Sequence, residues 1–200
     1  MTQVSKTTST TSPSTAAHAG SGVPDAGDLM AVVALYQGPL LRYVGHMLGR
    51  VNDEAEDVVQ ETFIRLHGQV AGHGANSVEH LTTWLFRVAH NLTLDAIRRR
   101  TRLQRPAEGT AEPGVLSEEP AADDLDALGE VLRREARDAA LRELAQLDDD
   151  LRQVLLLKII QGMTLREVAE VVGVSLSAVN YRLNQGLTVL AQRLRRAGVM

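Results

Sequence analysis

Six histidines are scattered along the chain and cysteine is absent. None of the histidines has a glutamate three residues before it, so the Glu-x-x-His pairs of a carboxylate-bridged metal bundle are missing. There is no His-Glu-x-x-His zinc pair and no phosphate-binding glycine loop. Without cysteine there is neither a thiolate metal site nor a disulfide scaffold, which suits a reducing cytosol. His67, His73, His80 and His90 read as surface or loosely packed residues. No catalytic residue, metal ligand or cofactor is expected, and the chain reads as a non-enzyme. The chemistry left to it is recognition, by arginines, amides and hydroxyls.

Those residues gather most tellingly in Thr164-Leu165-Arg166-Glu167-Val168-Ala169-Glu170-Val171-Val172-Gly173-Val174-Ser175-Leu176-Ser177-Ala178-Val179-Asn180-Tyr181-Arg182-Leu183. Thr164 and Glu167 have the spacing of a capping box. Ala169 is small where two helices would cross. Gly173 suits a tight turn at positive φ, and Ser175 suits the cap of a second helix. Val179 and Leu183 return to the core. This is the pattern of a helix-turn-helix, whose second helix enters the major groove of DNA. Ser177, Ala178, Tyr181, Arg182 and Gln185 would face outward, with Asn180 beside them. Arg and Gln match guanine and adenine edges, while Ser and Tyr suit phosphates. Arg166, at the start of the first helix, is placed to meet the DNA backbone. The bland alternative is a helical hairpin that only packs; the two caps, the turn glycine and the local charge favour DNA.

The elements that must carry these residues are helical. Leu29, Val32, Val33, Tyr36, Leu40, Val44 and Met47 recur at helical spacing, with Gly38-Pro39 expected to kink or split the run. Asp53 and Glu56 predict a capping box for a second helix, buried through Ala55, Val59, Phe63 and Leu66. Gly68, Gly72 and Gly74 read as a loop. A third helix starts near Ser77, buries Leu81, Leu85, Val88, Ala89 and Leu92, and ends in Arg98-Arg99-Arg100. Pattern resumes near Leu128, and Asp148-Asp149-Asp150 forms an N-cap cluster for a helix closed by Gly162. No strand signal appears, so the fold class is all-α.

The net charge of −4 hides an asymmetry. Residues 106–150 hold 14 acidic and 4 basic side chains, whereas residues 151–200 hold 2 acidic and 7 basic. Five arginines also crowd residues 98–105. Two basic blocks around an acidic stretch fit a chain that touches nucleic acid in two places. Composition divides the chain into a disordered tail over 1–27, a helical domain over 28–105, an acidic extended linker over 106–127 and a second helical domain over 128–200. The N-terminus lacks a secretory pattern, and apolar runs such as Val154 to Leu157 are too short to span a bilayer.

Two further segments carry a family resemblance. Ala55-Glu56-Asp57-Val58-Val59-Gln60-Glu61-Thr62-Phe63-Ile64-Arg65-Leu66 resembles the polymerase-binding helix of the extracytoplasmic-function (ECF) sigma factors. The stretch from Thr83 to Arg100, through Trp84, Arg87, Asn91 and Asp95, resembles the segment of that family that opens the promoter −10 element. The helix-turn-helix is similar to the family's −35 reader, and all three occur in the family's order over roughly residues 28–105 and 128–196.

The resemblance implies that Asp57, Gln60, Glu61 and Ile64 grip the clamp coiled coil of the largest subunit of core RNA polymerase. From sequence alone that face reads as solvated. It further implies that Arg87, Asn91, Asp95, Arg98, Arg99 and Arg100 handle the −10 strand, with a flipped base captured near Asn91. Trp84 falls on the buried stripe and reads as core. Arg166, Ser175, Ser177, Ala178, Asn180, Tyr181, Arg182 and Gln185 would meet the −35 element. Other implied partners are the flap of the second-largest subunit, promoter DNA and an anti-sigma factor, all in the cytoplasm without membrane insertion. The departure is an arginine-poor second helix, Leu183-Asn184-Gln185-Gly186-Leu187, where Gly186 reads either as a close-packing residue or as a bend. The competing reading is a helix-turn-helix regulator that never joins polymerase; it needs a dimer, and no heptad seam is present.

Overall fold

The computed structural model describes residues 24–49, 52–103 and 127–198, all helix and turn. Most of the expected tail and all but the last residue of the expected linker lie outside these. Residues 24–27, grouped by composition with the tail, form a turn in which Asp25 accepts from the Gly27 N–H at 2.7 Å. Ala26 of that turn is buried.

The N-terminal half is three helices, α1 (Leu29–Leu48), α2 (Asp53–His73) and α3 (Leu81–Leu103), packed on one another. Asp28 caps α1 by accepting from the Ala31 N–H. The expected break at Gly38-Pro39 does not split it: α1 runs unbroken through Pro39 and ends at Gly49 with φ 78°. Pro39 removes one intrahelical bond. Leu35, four residues earlier, is exposed, so the carbonyl it leaves unpaired can turn to water. Buried Tyr36, Leu40 and Tyr43 hold the helix on either side. Each such large apolar side chain contributes about 1.5–3 kcal/mol on burial.

The start of α2 also differs from expectation. Its N-cap is Asn52, whose side chain makes no capping bond, and Asp53 is already helical. The capping box is therefore absent, although Asp53, Glu54 and Glu56 still sit at the positive end of the helix dipole. Gly68 and Gly72 are not loop residues; α2 continues through both to His73, and of the three glycines Gly74 alone takes positive φ, at 81°. A glycine inside a helix costs about 1 kcal/mol; buried Leu66 and partly buried Val70 hold this part of α2 on the core. A single 3₁₀ turn, Ala75–Ser77, then leads to α3, which starts four residues after Ser77 and runs straight into its arginine-rich end.

The C-terminal half comprises α4 (Ala127–Ala145), α5 (Asp149–Leu155), α6 (Leu165–Val172) and α7 (Leu176–Arg196), with α7 packed against the other three. Asp148 occupies the N-cap of α5 but makes no side-chain cap bond. A π-helical turn, Leu156–Ile160, extends α5 before Gly162 turns the chain at φ 70°. The wider turn buries Leu156 and Leu157 and leaves Ile159 and Ile160 exposed.

The two halves share one apolar core. α6 packs on α3, and α5 with its π turn packs on α1. Arg152 of α5 fastens this seam: its Nη1 donates to Ala145 O at 2.9 Å and its Nη2 to Met47 O at 3.1 Å. Its guanidinium also pairs with Asp149.

Candidate nucleic-acid interface

The helix-turn-helix forms as its sequence predicts. Thr164 Oγ1 accepts from the Glu167 N–H at 3.3 Å, and Glu167 Oε2 accepts from the Thr164 N–H at 2.7 Å. Gly173 closes α6 in the left-handed region at φ 72°, and both its N–H and that of Val174 reach Ala169 O. Ser175 caps α7 by accepting from the Ala178 N–H at 3.2 Å. Val168, Val171 and Val179 seal the angle between the helices. Arg166, Ser177, Asn180, Tyr181 and Gln185 are exposed, Tyr181 to 69%. Ala178 is half-buried, and the Ser175 hydroxyl is occupied by its capping role.

Arg182 stands apart. Its Nη2 lies 2.7 Å from Asp150 Oδ2, and the side chain is only 23% exposed. Gly186 has a packing role: a Cβ there would stand 3.0 Å from Leu155 Cδ1 and 3.5 Å from Leu151 Cβ. The missing side chain lets α7 lie directly on α5, so close packing is the answer to the question its sequence position raised. At the far end of α7, Arg193 pairs with Glu143 of α4 and donates to Gln146 just beyond it, while Arg195 and Arg196 are exposed.

On α3 the residues of the second basic block form one edge. Asn91, Asp95, Arg98 and Arg99 are exposed, and Arg98 pairs with Asp95 at 3.1 Å. Arg87 reaches across the seam to Glu170 of α6 at 3.4 Å. Arg100 donates to Leu48 O at 3.4 Å, so it satisfies the end of α1 rather than standing free. Trp84 is half-buried against the core, as its place on the apolar stripe predicts.

Beneath this edge lies a polar pair that the sequence did not disclose. Tyr43 Oη and His90 Nδ1 are 2.8 Å apart and buried. The Tyr43 ring meets Phe86 edge-on, with centroids 5.6 Å apart. Burial, and then the charge of Arg98, lowers the His90 pKa to about 4. Burial drives the Tyr43 hydroxyl far above its ordinary value, with Arg152 opposing. Both groups are therefore neutral at pH 7. His90 is thus buried, not loosely packed as its sequence context suggests, because its partner lies on another helix.

On α2, Asp57 and Gln60 are exposed, and Glu61 is half-buried and pairs with Arg65 at 2.8 Å. Ile64, 57% exposed, lies on the same side of the helix. An apolar residue held in water among acids and an amide suits a partner surface with a basic rim and an apolar centre. Among the described residues no group of histidines and carboxylates could hold a metal ion, and no helix is long and apolar enough to cross a membrane.

Two helical units, one with a capped helix-turn-helix and one with a basic-edged third helix, define a class of DNA-binding transcription proteins. Residues 32–103 match the family Sigma-70 region 2, and residues 137–190 match Sigma-70, region 4. The ECF RNA polymerase sigma factor SigW of Bacillus subtilis is 30% identical over 167 residues, covering 82% of this chain and 87% of that protein. The ECF RNA polymerase sigma factor SigG of Mycobacterium tuberculosis is 33% identical over 180 residues, although this chain spans only 48% of its length. The fold is similar to that of the sigma factor RpoE in its complex with the anti-sigma factor NepR from Bartonella quintana, with TM-score 0.65 and 20% identity over 84% of this chain and 97% of that one. The chain belongs to the ECF family of RNA polymerase sigma factors.

Proposed function

We propose that this chain is the subunit that gives core RNA polymerase its promoter specificity, working by binding and not by catalysis, in the cytoplasm. The observation that carries the reading is the coexistence, on one chain, of three separate exposed faces: the acidic and apolar face of α2, the basic edge of α3 and the outer face of α7. In this reading Asp57, Gln60, Glu61 and Ile64 meet the clamp coiled coil of the largest subunit. Arg87, Asn91, Asp95, Arg98 and Arg99 handle the −10 strand, with Arg100 holding their helix to α1. A base taken out of the stack costs a few kcal/mol, which a pocket near Asn91 and phosphate contacts to the arginines offset.

The C-terminal half then docks near the polymerase flap, with Arg166 on the DNA backbone and Ser177, Ala178, Asn180, Tyr181 and Gln185 toward the −35 major groove. The acidic linker over 106–127 follows a basic channel of the polymerase, and an anti-sigma factor holds the chain inactive until it is needed. The first test is capture of core polymerase. The wild-type chain is expected to co-purify with core, and a D57K/Q60A variant of equal helix content to bind at least tenfold more weakly. A chain that ignores core but shifts operator DNA as a dimer would sink this reading.

A further inference from the structure

The outer face of α7 is neutral over its first half. Ser177, Asn180, Tyr181, Asn184 and Gln185 are all exposed and uncharged. The one cation within this stretch, Arg182, lies against Asp150 at 2.7 Å. The other oxygen of Asp150 accepts from Gln153 Nε2 at 3.2 Å, and Gln153 is buried. Asp150 is thus held at both oxygens. Asp148, Asp149 and Asp150 form one wall of an open concavity of about 700 Å³, and Tyr181, Arg182 and Gln185 form the other. The acid wall cannot drift from the helix, because Gly186 brings α5 and α7 into direct contact.

We propose that Asp150 sets the sequence specificity of α7 by holding Arg182 off the DNA. This rests on the reading of α7 as the −35 helix. A free arginine on a groove-facing helix binds the phosphates of any duplex, and each such contact adds about 0.9 to the salt slope. Phosphate contacts position a protein but carry no sequence information directly. Pairing Arg182 with Asp150 removes that indiscriminate contribution. Base reading then falls to the hydroxyls and amides, with Gln185 suited to an adenine edge. Arg182 is a positioning residue, tying α7 to the start of α5, and not a DNA-reading one.

The test uses holoenzyme, assembled from core polymerase and the full chain, on a promoter pool with randomised −35 positions. Transcripts are sequenced across a series of salt concentrations. D150N frees Arg182 while keeping an oxygen for Gln153. D148N removes the same charge from the same wall but leaves Arg182 held. R182M keeps the apolar stem, and its melting temperature checks folding. The inference expects R182M to keep the wild-type −35 preference and salt slope. It expects D150N to steepen the slope by about 0.9 and flatten the base preference, D148N to do neither, and D150N/R182M to return to the wild-type slope. Loss of preference at any −35 position in folded R182M would overturn it, as would identical behaviour of D150N and D148N. Transcription by wild type with no −35 preference would overturn it together with the role of α7. Failure to form holoenzyme at all would instead overturn the proposed function, a result read before any promoter is added.

Discussion

His90 shows how a single buried side chain links folding to pH. Unfolded, its imidazole takes a proton near pH 6.5; folded, it does so at about 4, because burial and the Arg98 charge oppose the proton. Between those values the unfolded chain binds more protons, so stability falls as pH drops from 6.5 towards 4. The loss approaches about 3 kcal/mol across that window. Urea midpoints at pH 7 and pH 5 are expected to separate in wild type by more than in H90Q; parallel shifts would contradict the assignment. Thr164 makes a simpler case. T164A removes the acceptor for the Glu167 N–H and is expected to cost about 1 kcal/mol, seen as a lower melting temperature with unchanged core binding.

At the level of elements, Gly186 carries the sharpest expectation. Alanine in a helix is ordinarily favoured over glycine by about 1 kcal/mol. Here the added Cβ would lie 3.0 Å from Leu155 Cδ1 and 3.2 Å from Leu155 Cγ. Leu155 is fully buried, and overpacking of a buried side chain costs about 1–3 kcal/mol. G186A is therefore expected to melt lower than wild type, and a higher melting temperature would show that α5 can yield. The same elements show what a sequence discloses. The helix-turn-helix was legible to the residue, because Thr164, Glu167, Gly173 and Ser175 act through local backbone geometry. No box forms at Asp53, because the same residue types stabilise a first turn without capping it. Gly68 and Gly72 misled because glycine permits a turn without requiring one. The unbroken α1 depends on packing at both sides of Pro39, and the π turn after α5 on burial of Leu156 and Leu157, neither of which has a local signature. Among the site residues, exposure of Asp57, Gln60, Asn91 and Tyr181 followed from helical phase. The partners of Arg87, Arg100 and Arg182 lie 52 residues away for Arg100, 83 for Arg87 and 32 for Arg182, beyond any local pattern.

Over the whole molecule, the seam between the halves bears directly on initiation. α6 touches both α3 and α7, and a helix is about 10–12 Å across, so α3 and α7 lie within roughly three helix widths. Elements centred at −10 and −35 are about 25 base pairs apart, or about 85 Å along the duplex at 3.4 Å per pair. A chain that reads both must part at this seam. One contact there is weak: Arg87 and Glu170 are both more than 40% exposed, and such pairs contribute little. Because the chain has no cysteine, R87C/E170C can be joined cleanly by a short bismaleimide. The joined chain is expected to lose promoter-directed transcription relative to the same variant left open, and equal output from the two would show that the halves need not separate. The central claim, that the chain directs polymerase to promoters, is tested most directly by in vitro transcription of genomic DNA with purified core polymerase, followed by mapping of RNA 5′ ends. Discrete start sites that appear only when the chain is added, preceded by shared sequence near −10 and −35, are the expected result. The same scattered 5′ ends with and without the chain would contradict it.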